Sequence, residues 1–496
     1  MKQYDLVIIG SGAGLMVLEE ALYHGLRCAI VEKGKIGGTC LTKGCIPSKM
    51  LVYPADFIRE AEMADRFGVK VQRPQIDWNA ISKRMWEQIN FTENIRQDLM
   101  QEPNLDVYPG VGSFRDPHKM VVCYDNGKES DIIEGDRFVI AAGARTSVPD
   151  IDGLNAAGYV TSESFFGSKF PAKPWEHLAI LGGGAIGMEF AHIFSAYGSK
   201  VTVIEMSGRI LGTEEEEISA FVTGQFAKNG VEILTGAKVK AIRADNGKKQ
   251  LIIENGQGSN CNVVCDELFI ASGVRSNADT LSMENAGVSL DQRGWIPTNA
   301  YLETAQPHIF ALGDINGKYQ FRHKANYEAQ ILANNLFGAK EKTAADYGAV
   351  PWAVFTHPQV AHVGMTEREL QKKGVAYRSA KNHYSEVVGG RAMGYRTGDD
   401  DDGFIKMLVG EQAQILGAHI AGPQAAVLLQ PFVYLMQMGY QCRSKITQAQ
   451  SEPQIEGLRL LCQQMGAYTP IMDSMVIHPS LNELTAWVFE KLVESH

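Results

Sequence analysis

The chain has 496 residues, 45% of them hydrophobic and 21% charged, with a formal net charge of −10. This composition excludes a disordered chain, and an acidic balance without a Lys/Arg cluster argues against nucleic acid or an anionic membrane as partner. The length predicts three or four domains.

The opening "MKQYDLVIIGSGAG" is a short apolar run cut off by glycines. It is too short for a secretory signal core and reads as a first strand, which places the protein in the cytoplasm. It begins a segment, residues 7–34, whose design returns at residues 179–208. Each segment is an apolar strand, a glycine-rich turn, an amphipathic helix, a glycine, a second apolar strand and a glutamate. That is the order of a dinucleotide-binding βαβ unit. Gly10 and Gly182 are expected to make the tight turn. Gly12 and Gly184 let backbone N–H groups approach a pyrophosphate at the helix N-terminus. Glu32 and Glu205 close the second strands, 22 and 23 residues after the first glycine, where a carboxylate accepts from a ribose hydroxyl. Gly187 fills the third glycine position of the second copy. In the first copy Leu15 stands there, with Gly14 just before it, which predicts a slightly different fit of helix on strand. One glycine fingerprint is a weak signal; two, each with strand, helix and acid in place, are a strong one.

Next comes "GGTCLTKGCIPSK", residues 37–49, with Cys40 and Cys45 five positions apart. Cysteine zinc sites use shorter spacings and four ligands, and no second pair lies nearby. A structural disulfide is disfavoured in a reducing compartment. A redox pair suits the surroundings. Gly37, Gly38 and Gly44 allow the backbone close to a flat cofactor. Pro47 suits a first helical turn, so Cys45 is expected near a helix N-terminus, where the dipole and Lys49 favour a thiolate.

Further along, "FVIAAGARTSVPDIDGL" (138–154) is a buried strand, a glycine turn and a proline exit, and "LFIASGVRSN" (268–277) repeats it. Cys261 and Cys265 have a metal-like spacing but belong to an alternating strand; Cys28, Cys123, Cys442 and Cys462 read as packing residues. "IFALGDI" (309–315) is another buried strand, ending in Gly313-Asp314. From about 346 short strands mix with helices, an α+β pattern. The acidic run Asp399–Asp402 reads as a solvated hairpin tip. "AAVLLQPFVYLMQM" carries Gln430, Pro431 and Gln437 and is no membrane span. "SEPQIEGLRLLCQQMG", within residues 440–475, reads as a capped helix that shapes a substrate entrance or embellishes the last domain.

Taken together, these motifs resemble the flavin-dependent pyridine nucleotide–disulfide oxidoreductases. The resemblance covers essentially the whole chain, including "FTHPQVAHVGMTE" (355–367) and "HPSLNE" (478–483). It implies an α/β fold with two Rossmann-like domains, one for FAD and one for NAD(P), plus a C-terminal α+β dimerisation domain. The implied division is 1–150 and 276–345 for FAD, 151–275 for NAD(P), and 346–496 for dimerisation. FAD would lie on Gly10, Gly12, Gly14, Glu32, Lys33, Gly38, Thr39, Lys49, Ala142, Gly143, Gly313 and Asp314, with Glu32 at the adenosine ribose and Asp314 at the ribityl chain. NAD would lie on Gly182, Gly184, Gly187, Glu189, Glu205 and Gly273. By the same resemblance Cys45 faces the flavin, Cys40 exchanges with substrate, and Lys49 sits beside the flavin with Glu189 as its partner. His478 is the acid/base and Glu483 orients it. In relatives this histidine comes from the other subunit, which implies a homodimer.

The His–Glu pair also has a chemical logic of its own. Thiol–disulfide exchange moves a proton between sulfurs, a task suited to imidazole near neutral pH, and a carboxylate fixes its tautomer.

Glu205 favours NAD over NADP, although Arg209 lies four residues on. An NAD-type acid with both cysteines and HPxxxE most resembles the dihydrolipoyl dehydrogenase branch, with the dihydrolipoyl group supplied in trans. "ANYEAQ" and "YTPIMDSMVIHPSL" lean instead toward the mycothione reductase-like branch, which uses NAD(P)H to reduce a small thiol disulfide. A non-catalytic flavoprotein subunit could dispense with Cys40, Cys45, His478 and Glu483, and all four are present.

Overall fold

The computed structural model describes residues 2–245, 247–256, 259–338, 340–410, 415–449 and 474–478. The first strand, Lys2–Ile9, is the centre of a seven-stranded sheet. Cys28–Val31 and Ile133–Ile140 flank it in parallel, with Ile9 opposite Val31 on one side and Ile140 on the other. Leu105–Tyr108 extends the sheet beyond Cys28–Val31. An antiparallel ribbon, Val111–Asp116 with Lys119–Cys123, extends the opposite side. Strand Ile309–Ala311 returns across the chain to pair with Ile133–Ile140. The sheet therefore draws on both the beginning and the middle of the chain. Leu6, Val7 and Ile8 have no exposed surface, as expected of a parallel strand covered on both faces.

The second unit builds a four-stranded parallel sheet in the order Glu232–Thr235, Lys200–Glu205, His177–Leu181, Glu267–Ile270. A three-stranded antiparallel sheet, Lys238–Asp245, Lys248–Glu254 and Asn260–Cys265, lies beyond it. Cys261 is exposed and Cys265 buried on that last strand; four residues apart they share a face but stand about 13 Å apart along it, too far to hold one metal ion. Two short strands after the "AAG" and "ASG" turns, Ala144–Thr146 and Val274–Ser276, pair antiparallel and tie the two units together.

The C-terminal part is a five-stranded antiparallel sheet, ordered Pro351–Val354, Gln359–Gly364, Ile415–Gly422, Phe404–Val409, Arg378–His383. Helix Ala425–Ala449 packs on it through Ala425, Ala426, Leu429 and Val433. No helix among the described residues is long and apolar enough to cross a membrane.

One helix pair positions the chemistry. Helix Cys45–Glu62 packs against helix Ala185–Ala196 through a large apolar cluster that includes Leu51, Ile58, Phe190 and Phe194. Polar contacts fix their relative rotation. Arg59 donates from Nη2 to Ser195 Oγ at 2.9 Å, and His192 Nε2 lies 2.8 Å from Asp56 Oδ1. The Tyr197 hydroxyl donates to Leu51 O at 2.6 Å.

The acidic run is solvated only in its first half, where Asp399 and Asp400 are exposed. Asp402 is buried and accepts from the Ser385 N–H and hydroxyl. Asp401 pairs with Arg66, and Asp400 with Lys228. Like charges are tolerated in a row because Asp400, Asp401 and Asp402 each have a cation or hydrogen-bond donors drawn from a different part of the chain.

Candidate functional site: a cysteine pair between two nucleotide-type turns

The two glycine turns are built alike. Gly10 has φ +100°, and a Cβ there would fall 2.4 Å from Ala141 O; Gly182 has φ +115°, and a Cβ would fall 2.3 Å from Ala271 O. Only glycine fits either turn. Glu32 Oε2 accepts from the Ser11 N–H at 2.9 Å and Oε1 from the Gly34 N–H at 2.8 Å. Glu205 matches it, with Oε2 taking the Gly183 N–H and Oε1 the Ser207 N–H, both at 2.7 Å. Each carboxylate thus fixes its own turn and keeps lone pairs for a ribose hydroxyl.

The third glycine has shifted rather than vanished. A Cβ on Gly187 would fall 2.0 Å from Gly182 O; in the first unit it is Gly14 whose Cβ would fall 2.8 Å from Ile8 Cγ2. Gly14 therefore provides the close helix–strand approach, and Leu15 packs at the edge of the apolar cluster.

A Cβ on Gly184 would meet nothing within 4 Å, and one on Gly12 only an Arg322 nitrogen at 3.7 Å. Both turns face open space where a pyrophosphate would lie. Gly38 packs so tightly on the first turn that its Cβ would come 2.7 Å from Gly12 Cα. Lys33 and Thr39 are exposed beside it. Gly143 and Gly273 both take positive φ where the paired exit strands begin. Ala142 O accepts from Asn277 Nδ2 at 2.8 Å. These residues fit FAD on the first unit and a pyridine nucleotide on the second.

Gly313-Asp314 ends the returning strand and is held by groups that sequence reasoning missed. Lys324 and Glu328, one helical turn apart on helix Arg322–Ala333, are both fully buried and 2.9 Å apart. Glu328 accepts from the Gly313 N–H and Asn316 Nδ2; Lys324 donates to Gly313 O and Asn316 Oδ1. The charged residues at i and i+4 were a visible signal, but on a surface helix the same spacing is ordinary. Burial pushes the Asp314 carboxyl up to about 6, with the Lys324 charge pulling it back.

The cysteine motif lies on a short helix and the start of the long one that follows it. Cys40 is on Gly38–Thr42, and Cys45 is the first residue of Cys45–Glu62. Both are thiols, and the two sulfurs and a ring nitrogen of His478 all lie within 4.8 Å of one another. His478 Nε2 is 3.1 Å from Cys40 Sγ. A hydrogen bond from Cys40 holds the Cys45 thiol down at about 6; burial opposes this, and the His478 and Lys49 charges reinforce it. Lys49 Nζ is 2.7 Å from Glu189 Oε2 and 4.5 Å from the centre of the Phe355 ring. Glu189 Oε1 accepts from the Phe355 N–H at 3.0 Å. Both carboxylate oxygens of Glu189, on the helix that leaves the second glycine turn, are thus committed to Lys49 and the Phe355 amide.

The histidine expected from a second subunit here reaches Cys40 of its own chain. Its segment is clamped to helix Ala425–Ala449 of the same chain: Gln430 donates to Met475 O at 3.3 Å and accepts from the Ile477 N–H at 3.1 Å. Ile477 is buried in the apolar cluster beneath. With the imidazole over it, Cys40 is only 6% exposed, so the expected substrate-side thiol is reached past His478. Glu483, Cys462 and the segment "SEPQIEGLRLLCQQMG" lie outside the described residues.

Residues 4–329 match the family model described as pyridine nucleotide-disulphide oxidoreductase, and residues 350–456 match that family's dimerisation domain. The chain is 34% identical over 448 residues to mycothione reductase of Mycobacterium tuberculosis (strain ATCC 25618 / H37Rv), covering 88% of this chain and 94% of the relative. It is 33% identical over 435 residues to dihydrolipoyl dehydrogenase of Chlamydia pneumoniae, covering 86% and 89%. Among solved structures it is similar to the HOCl-induced flavoprotein disulfide reductase RclA from Escherichia coli. There the TM-score is 0.75 at 28% identity, covering 97% of this chain and 98% of that one.

Proposed function

The chain belongs to the pyridine nucleotide–disulphide oxidoreductases, and we propose that it passes two electrons from a dihydrolipoyl group to NAD⁺ through Cys40 and Cys45. The observation that carries this reading is the cluster of Cys40, Cys45 and His478, with Cys45 acidic enough to be a thiolate at neutral pH. The active form is a homodimer in the cytoplasm, divided into the four stretches given above.

In the oxidised state the two cysteines form a disulfide. A substrate thiol gives its proton to His478, and its thiolate attacks Cys40 Sγ. The Cys40–Cys45 bond breaks and Cys45 leaves as a thiolate. The leaving group is good because its pKa is low. The second substrate thiol then attacks the sulfur joined to Cys40. As Cys40 departs it takes the proton that His478 holds, His478 takes up the proton of the second thiol, and the substrate leaves as a disulfide. The protein now holds both electrons on the reduced cysteine pair. Bound FAD supplies the two-electron relay between that pair and the nicotinamide. Glu32 and Asp314 would hold its ribose and ribityl hydroxyls, and Lys49, fixed by Glu189, would place a positive charge beside its ring. Glu205 favours NAD over NADP because a 2′-phosphate would meet a carboxylate that is already committed to the Gly183 and Ser207 amides.

A second reading has a specific support. The similarity to mycothione reductase is as high as that to any dihydrolipoyl dehydrogenase named here, and it favours the reverse direction, NAD(P)H-driven reduction of a small thiol disulfide. Purified enzyme assayed with dihydrolipoamide and NAD⁺, beside NADH or NADPH with small disulfides, separates the two. Rapid NAD⁺ reduction that vanishes in Cys40→Ser supports the first. Turnover only with a small disulfide replaces it with the second.

A further inference from the structure

A second cluster of ligating side chains lies away from the cysteines, where the C-terminal sheet meets the second nucleotide-type unit. His362 and His419 face each other in register on the paired strands Gln359–Gly364 and Ile415–Gly422. Glu214 reaches them from the loop before helix Glu216–Lys228. Ligating atoms of all three lie within 4.8 Å of one another. The side chains of Glu214 and His419 are fully buried, and His362 is 16% exposed.

The hydrogen bonds around this cluster are incomplete in an informative way. His419 Nε2 is 3.0 Å from Met365 O, so in the neutral ring that nitrogen carries the proton and Nδ1 is left with its lone pair to ligate. Nδ1 faces Glu214 Oε2 at 3.9 Å, too far for a hydrogen bond, and both atoms are buried without a hydrogen-bond partner. The other carboxylate oxygen, Oε1, is fully engaged. It accepts from Trp352 Nε1 and lies 2.7 Å from His362 Nδ1. With the ring neutral, two acceptors face each other in a buried site across a gap wide enough for a cation. The backbone carbonyl on the far nitrogen of His419 is the outer-shell partner that ligating histidines commonly have.

We propose that Glu214, His362 and His419 bind one divalent first-row transition ion of the zinc class, distinct from the cysteine site. Metal–nitrogen and metal–oxygen bonds of about 2.0–2.2 Å put ligand atoms around one ion at most about 4.4 Å apart. The 3.9 Å between Glu214 Oε2 and His419 Nδ1 already satisfies this, the ligand atoms of all three residues lie within 4.8 Å of one another, and His362 would give up its hydrogen bond to Glu214 Oε1 on binding the ion. Two imidazoles and one carboxylate, without sulfur, select an ion of this class over calcium or magnesium. The ion would staple the C-terminal sheet to the nucleotide-binding part of the same chain. The partly exposed His362 edge is its entry. Nearby Lys406 is already neutralised by Glu215, Glu217 and Glu367, so it does not repel a cation.

The test uses FAD-loaded protein stripped with a chelator, in the wild type and in His362→Ala, His362→Gln and Cys40→Ser. Zn²⁺ is titrated with the melting temperature as readout, and Co²⁺ with its absorption spectrum. The expected result is one equivalent of Zn²⁺ raising the melting temperature in wild type and in Cys40→Ser. Affinity should fall at least tenfold in both His362 variants. The cobalt form should show visible bands without thiolate charge-transfer absorption. Binding lost in Cys40→Ser and kept in the His362 variants would overturn the proposal, as would the absence of any one-equivalent effect in wild type.

Discussion

Lys49 Nζ and Glu189 Oε2 lie 2.7 Å apart although 140 residues separate them in the chain. Lys49 stands one turn beyond Cys45 on one helix, and Glu189 stands on the helix packed against it. This ion pair fixes how the cysteine motif sits against the second nucleotide-type unit. The pair is largely buried, so removing either partner strands a charge at a cost of about 1–3 kcal/mol, below the range for fully buried pairs.

The first prediction concerns that pair and the acidity of Cys45. The Lys49 charge lowers the Cys45 thiol and the Glu189 charge raises it. Lys49→Met should therefore move the thiolate titration upward, and Glu189→Gln should move it downward. Both should lower the melting temperature. Thiolate absorbance against pH in the reduced protein reads the sign of each shift. Identical shifts in the two variants would be inconsistent with this geometry.

A second prediction is the titration itself. Alkylation of reduced Cys45 should rise with pH through a midpoint near 6, well below the ordinary thiol value of about 8.5. His478→Ala removes a charge that favours the thiolate, so its midpoint should lie higher. Rates against pH, with the modified cysteine identified by mass spectrometry, check both points.

Loss of the imidazole should cost more in turnover than in structure. His478→Ala is expected to lower kcat by about 10²–10⁴, the usual worth of a positioned acid/base. FAD content and NADH-reducible thiol count should stay at wild-type levels. Steady-state rates beside a thiol titration make the comparison.

At the second turn, Glu205→Gln should raise the KM for NADH by about tenfold or more, the scale of a charged hydrogen bond of about 1.5–3 kcal/mol. Because Glu205 also holds the Gly183 and Ser207 amides, the loss should appear with NADPH too, though less steeply. The ratio of kcat/KM for the two coenzymes measures it.

Features coded within one short stretch were legible in the sequence. Both glycine turns, their glutamates and the placement of Cys45 on a helix N-terminus each depend on fewer than thirty consecutive residues. The displaced third glycine was half legible. Gly14 was visible beside Leu15, but its contact with Ile8 and Ala141 needs coordinates. Long-range features were hidden. Lys324 and Glu328 escaped notice because nothing local says that the Gly313 turn will close over them. The aspartate run read as solvated because its partners Arg66, Lys228 and Ser385 come from three other parts of the chain. Glu214, His362 and His419 meet only after the sheet pairs in register and docks on a different unit.

The most direct test of the central claim is a count of thiols before and after NADH. FAD-loaded protein is denatured and alkylated with a mass tag, first as oxidised and then after one equivalent of NADH without oxygen. The account predicts two additional tags after NADH, on Cys40 and Cys45 and on no other cysteine. No gain in tags at those two positions, with FAD present and NADH consumed, would contradict a redox cycle through this pair.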